Sequence, residues 1–226
     1  MAWVYRPYRS RIAEALSLSP GDTVIDLACG TGENFEELVS RVGDDGKVLA
    51  IDASRGMLSR ARSRCEKHGW TNVRLIEKDA RFALREDFFE GDADRKAQAV
   101  VCTLGLSTIP SWQEVLASAL SWVEPGGRIV LFDVYADRWV PQQAVVSLLA
   151  QADLKRQSWL ALEAITGDCE FRFLEGSRHL HGGRPFLARG SRSQGWDTSE
   201  VRTAVAAAQE AAREERLGRP TPPETA

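Results

Sequence analysis

The chain has 226 residues, 43% hydrophobic and 27% charged, with 29 basic against 32 acidic side chains and a formal net charge of −3. That length suits one α/β domain with some extra chain, and it is enough to bury a substantial core. The charge balance offers no footprint for nucleic acid, and no apolar run is long enough to cross a bilayer.

In chain order, "DTVIDLA" (22–28), "KVLAID" (47–52), "NVRLIEKD" (72–79), "AQAVVCT" (97–103) and "GRIVLFDV" (127–134) read as buried strands. Each is a short run rich in Val, Ile and Leu. Helical stretches lie between them. "ENFEELVSRV" follows Gly32, and Ser54 is placed to cap "RGMLSRARSRCEKHG", which ends on a glycine. Ser111 with Glu114 offers a capping box to "WQEVLASALSWV", after which Pro125-Gly126-Gly127 predicts a turn. Strands alternating with helices in this way build a parallel sheet covered on both faces.

The rhythm changes after Asp133. Residues 139–165 read as two helices divided near Asp153. "DCEFRFLE" (168–175) and "RPFLARG" (184–190), joined through Gly182-Gly183, read as an antiparallel pair. The domain therefore spans residues 1–190, and 191–226 supplies a linker, a helical tail (about 198–217, capped by Asp197 and Glu200) and a disordered C-terminus. Cys29, Cys65, Cys102 and Cys169 form no C-x-x-C pair, and no charged n-region with a long apolar stretch opens the chain. A reduced, cytoplasmic protein is expected, with no metal site; His179 and His181 share a strand face but lack a third ligand.

The chemistry concentrates in "VIDLACGTGEN" (24–34). A glycine loop between a strand and a helix brings bare backbone, free N–H groups and a helix dipole to one point. A dinucleotide loop needs Gly-x-Gly-x-x-Gly, and the third position here is Phe35 or Glu33, too bulky for that role. The pattern is instead Asp26-x-Ala28-x-Gly30-x-Gly32, with Cys29 as a small loop residue rather than a nucleophile. Asp26 suits a cationic amine, or it caps backbone groups. Asp52, with Ala53 beside it, ends the second strand 20 residues after Gly32, where an acid meets ribose hydroxyls. Asp79 and the Ala80 N–H close the third strand and suit an adenine. An amino-acid end, a ribose and an adenine in that order describe S-adenosylmethionine.

With those residues in place, "VIDLACGTG", "LAIDAS", "EKDA", "VVCTLGLSTIP" and "EPGGRIVLFD" resemble the class I S-adenosylmethionine-dependent methyltransferases over about residues 8–190. The resemblance implies a Rossmann-like, mostly parallel seven-stranded sheet in the order 3-2-1-4-5-7-6, the last hairpin antiparallel. It also implies cofactor contacts from Thr103 and Leu104 through their backbone. Met57 either packs on the adenine or belongs to the core. Ser107, Ile109 and Trp112 would border the methyl acceptor.

A closer similarity, carried by "GTGENF", "GLSTIPSW", a helix containing Arg156 and Trp159 and a closing Gly-Gly hairpin, is to the phospholipid N-methyltransferases near the ubiquinone/menaquinone group. It implies transfer to a small or lipid-borne amine. The alternatives are O- or C-methylation of a small molecule or quinone, a non-catalytic S-adenosylmethionine-binding scaffold, and a nicotinamide dehydrogenase. Residues 1–11 would form a lid, Tyr5 and Tyr8 over the cofactor and Arg9 near its carboxylate; the other reading is that the aromatics pack the first helix. Tyr5, Tyr8 and Ser107 are the catalytic candidates. Arg60, Arg64 and Lys67 line one helix face, solvated or set against an anionic membrane surface. The expected partner is a small or lipid acceptor, with at most peripheral membrane contact, and the protein is a monomer or homodimer.

Overall fold

In the computed structural model, seven strands form one sheet: β1 Thr23–Leu27, β2 Lys47–Asp52, β3 Val73–Glu77, β4 Ala97–Thr103, β5 Val123–Tyr135, β6 Glu170–Phe173 and β7 Arg184–Ser191. Their order is β3-β2-β1-β4-β5-β7-β6. β1 to β5 pair in parallel, and β7 runs antiparallel between β5 and β6. The helices are α1 Arg9–Ala15, α2 Phe35–Val42, α3 Arg55–His68, α4 Arg85–Phe88, α5 Trp112–Trp122, α6 Pro141–Ala150 and α7 Ser158–Thr166. The structure describes residues 2–89, 91, 96–139, 141–176, 182–195, 199, 201–208 and 210.

Every residue of β1 is buried, because both faces of the sheet are covered. Ile25, Leu27, Ile51 and Val100 enter one core with α5 and α7; Val24, Val48, Ala50 and Val101 enter the other with α1, α2 and α3. That two-sided burial is why these strands read as unbroken apolar runs instead of alternating ones. Parallel strands all point the same way, so the loops that follow β1, β2, β4 and β5 gather at one edge.

Capping follows the sequence at α3. Ser54 Oγ accepts from Met57 N–H at 3.3 Å, and Gly69 ends the helix at φ 69°. It does not follow at α5. Ser111 makes no side-chain cap, since its backbone (φ −94°, ψ 46°) is not the extended form a capping side chain needs; Val115 N–H bonds the Ser111 carbonyl instead.

The expected turn at Pro125-Gly126-Gly127 is a bulge inside β5. Ala97 pairs with Val123 and Ala99 with Arg128, so two steps along β4 match five along β5. Gly126 at φ 84° lets the chain loop out and re-enter the ladder. Its N–H bonds the Arg192 carbonyl at 2.7 Å, and Arg192 N–H returns to Gly127 at 2.9 Å. Arg192, expected in a linker, is thereby tied to the sheet. Residues 201–208 are helical, and Val201 and Val205 are buried in the α5 side of the core. The proposed cap at Asp197 and Glu200, the segment from 211 onward and His179 and His181 lie outside the described residues.

Candidate active site

A cavity of about 580 Å³ opens where the loops after β1, β2, β4 and β5 meet. Of the residues expected at the cofactor, Tyr5, Arg9, Ala28, Cys29, Gly30, Asp52, Met57, Thr103 and Leu104 line it. Asp26, Gly32, Ala53, Asp79, Ala80 and Tyr8 do not.

The glycine loop is held from both sides. Asp52 Oδ2 accepts from Gly30 N–H at 2.9 Å and Asp52 Oδ1 from Ser54 N–H at 2.8 Å. Arg64 of α3 donates to the Thr31 carbonyl at 3.1 Å and pairs with Glu33. The basic face of α3 is therefore not merely solvated, because Arg64 clamps the loop and Arg60 lines the cavity. Ala28 stands at φ 55° and Leu104 at φ 59°, both in the left-handed region that disfavours a side chain. A Cβ on Gly105 would lie 2.7 Å from Cys102 Sγ and 2.8 Å from the Ala28 Cβ. Bare backbone at Gly105 is thus required by the strained Ala28.

Beneath the loop lies a buried polar chain. Asp26 is fully buried and accepts from Asn34 Nδ2 at 3.1 and 3.3 Å. The same Nδ2 reaches Thr103 Oγ1 at 3.1 Å, and Asn34 Oδ1 accepts from Arg9 Nη1 at 2.5 Å. Burial pushes the Asp26 carboxyl up to about 7, against the lowering effect of Asn34 and Arg9. Burial also lowers the Arg9 guanidinium, and its Nε is buried with no hydrogen-bond partner among the described residues. The Arg9 guanidinium at the glycine-loop end of the cavity, with an Asp52 carboxylate placed for sugar hydroxyls, fits the carboxylate and ribose of S-adenosylmethionine. The sequence singles out no role for Asn34; its bridging role needed the fold.

Several expected groups sit elsewhere. Tyr8 is 7% exposed, packs on Phe132 at 5.3 Å between ring centres and donates to the Glu175 carbonyl at 2.7 Å. Asp79 caps the 3₁₀ turn Ala80–Phe82 and pairs with Arg81 at 2.6 Å. Trp112 turns inward under α5 at 3% exposure, and Ile109 packs against the same core, so Ser107 is the one member of that trio at the cavity. Cys29 lines the cavity, but burial drives its thiol far up, and it is no nucleophile.

At the opposite end, Leu104, Val134, Ala152 and Leu154 form an apolar wall beside Ser107, Thr108 and Asp133. Main-chain bonds stitch this wall together: Ala136 N–H to the Leu154 carbonyl at 2.7 Å and Asp153 N–H to the Ser107 carbonyl at 2.8 Å. Arg156, expected on one helix with Trp159, instead precedes α7, held out of it by donating to the Leu106 and Ile109 carbonyls, both at 2.5 Å.

A family model described as a methyltransferase domain matches residues 18–174. Demethylmenaquinone methyltransferases of Bacillus mycoides and Shouchella clausii are 27% and 28% identical over 129 residues, 57% of this chain and 52% of each relative. The chain thus spans about half the length of these curated relatives. Among solved structures, an O-methyltransferase family protein from Burkholderia thailandensis aligns with TM-score 0.64 at 22% identity, covering 87% of this chain and 58% of that one. A methyltransferase fold from Bacillus halodurans aligns at 0.60 and 15% identity, covering 82% and 99%. The strand order, the clamped glycine loop and the matched segment agree, and the chain belongs to the methyltransferase-domain family.

Proposed function

We propose that the protein methylates carbon or oxygen of a small hydroxylated acceptor with an apolar body, of the quinol type. The observation that carries this reading is the far end of the cavity, apolar on its walls and bearing Ser107 and Asp133 as paired oxygens. The similarity to demethylmenaquinone methyltransferases supports the same side. A small or lipid-borne amine is the acceptor expected from the sequence, and the phosphate of a lipid head group would need a cation. Among the described residues the guanidinium groups lining the cavity are Arg9 and Arg60, both at the cofactor end.

S-adenosylmethionine supplies a methyl group on a sulfonium, an already activated leaving group. The chain's part is to align the acceptor and exclude water. In this reading Asp52 receives the ribose hydroxyls and Met57 lies against the adenine. Arg9 meets the carboxylate, and the backbone of Ala28, Cys29, Gly30, Thr103 and Leu104 borders the methionine portion. Gly32 shapes the loop, while Asp79, Ala53 and Ala80 stay outside the cavity lining. Tyr5, packed edge-on to Phe132 at 5.9 Å, closes the cavity from the N-terminal segment.

Methyl-labelled S-adenosylmethionine offered with naphthohydroquinone, or with phosphatidylethanolamine vesicles, tests the reading. Label in the naphthol product is expected. Label confined to the lipid amine would overturn it.

A further inference from the structure

The acceptor end holds a buried acid and hydroxyl that sequence patterns do not single out as a pair. Asp133 lies near the end of β5 and Ser107 opposite it on the loop after β4, each 4% exposed. Ser107 N–H donates to Asp133 Oδ2 at 3.0 Å, and Ser107 Oγ donates to Asp133 Oδ1 at 2.9 Å. Val134 N–H also donates to Oδ1, at 2.9 Å. The serine proton is therefore committed to the carboxylate, and the lone pairs of Oγ are left for a donor. Both residues line the cavity, which is where a ligand can supply that donor.

We propose that Ser107 accepts the O–H of the bound acceptor and hands its own proton to Asp133, which selects for acceptors carrying an ionisable hydroxyl. The inference rests on the hydroxylated-acceptor reading above. Ser107 is the catalytic residue; Asp133 acts through it as a positioning residue and proton sink. As the acceptor O–H bond breaks toward Ser107 Oγ, the Ser107 O–H bond breaks toward Asp133 Oδ1. In attack through oxygen the electron pair so released forms the new bond to the methyl carbon. The S–CH3 bond breaks and leaves its pair on the sulfur of S-adenosylhomocysteine. In attack through ring carbon the released pair forms the ring C=O while a ring π pair takes the methyl, and loss of the ring proton with return of one proton to the oxygen restores the phenol. In either case one proton per turnover passes to solvent.

The charge environment suits this role. Burial raises the Asp133 carboxyl to about 6, while the Val134 and Ser107 bonds and the Arg156 cation hold it down, leaving it ionised at neutral pH. Tyr5 faces it from the N-terminal 3₁₀ turn, raised to about 12 by burial and by Asp133, and Cys102 faces it from β4, its thiol also pushed up by burial. Both are neutral at working pH and leave Asp133 as the proton acceptor of the group.

The test compares phenol with anisole, which lacks the O–H, as ligands of the protein loaded with S-adenosylhomocysteine. Wild-type protein is expected to bind phenol at least about tenfold more tightly, and Ser107→Ala to lose that preference. In the naphthohydroquinone assay, kcat should fall about a hundredfold in Ser107→Ala and Asp133→Asn while S-adenosylhomocysteine affinity holds, and Ser107→Thr should restore much of it. The acidic limb of the kcat profile, near pH 6 in the wild type, should vanish in Asp133→Asn. Should Asp133→Asn fail to fold, the phenol comparison in Ser107→Ala carries the test. An equal phenol preference in wild type and Ser107→Ala, or a parental rate in that variant, overturns the relay. A wild type that prefers phenol but leaves naphthohydroquinone unlabelled overturns the acceptor reading and leaves the hydroxyl site standing.

Discussion

Asp52 at the end of β2 accepts the Gly30 N–H at 2.9 Å, so the carboxylate that faces the cavity also holds the first glycine of the loop after β1. One side chain thus shapes the loop and presents an acceptor to a ligand. Asp52→Ala removes both. Two bonds to a charged acceptor are worth on the order of 3 kcal/mol, so S-adenosylhomocysteine affinity measured by calorimetry should fall by roughly a hundredfold. Unchanged affinity would mean that the ribose lies elsewhere.

Arg64 reaches back from α3 to Thr31 and Glu33 and steadies the same loop without lining the cavity. Arg64→Ala should weaken S-adenosylhomocysteine binding by about tenfold and leave the acceptor end untouched. Hydrogen exchange at residues 29–33 should quicken in the variant.

Ala28 and Gly105 form a coupled pair. Gly105→Ala forces a Cβ to within 2.8 Å of the Ala28 Cβ and 2.7 Å of Cys102 Sγ. It should lower the melting temperature and cofactor affinity together. Ala28→Gly relieves the left-handed strain, worth about 1 kcal/mol, and in the double variant should recover part of the loss. Strictly additive melting shifts would count against the contact.

Asp26 is a buried acid whose carboxyl is raised to about 7 from an ordinary 3.8. Between those values the folded state binds the extra proton, so its contribution to stability is full below the lower value and is lost as pH rises to the upper. Asp26→Asn should therefore gain stability relative to wild type as pH rises through that window. Denaturation curves at several pH values check the sign, since other groups cancel in the difference.

Tyr8 is built into the core instead of standing free over the cofactor. Tyr8→Phe keeps the ring on Phe132 and loses the bond to Glu175, which should cost about 1 kcal/mol with little change in methyl transfer. Deleting residues 1–9 removes the whole packing contact and should lower the melting temperature, whatever its effect on turnover.

The alternation of parallel strands with helices and the antiparallel last hairpin were legible because apolar runs, helix caps and glycines repeat with the spacing a crossover demands, whereas the order of the strands came from the resemblance to the methyltransferases. Asp52, Ala28 and Gly30 were legible for the same reason: the end of a parallel strand is a place that sequence order alone specifies. Asn34, Arg64 and the Ser107–Asp133 pair were not, since their partners lie 8 to 69 positions away and meet only when the loops converge. Trp112 and Tyr8 were placed at the cavity by the resemblance, with packing of the first helix as the other reading for Tyr8; packing against the sheet drew both rings inward, where each buries more apolar surface than a cavity edge offers. Local pattern, which repeats with the period of a strand or helix, determined the sheet and its glycine loop. Only the tertiary structure decided which polar side chains face one another across it, because long-range contact between side chains leaves no period in the chain.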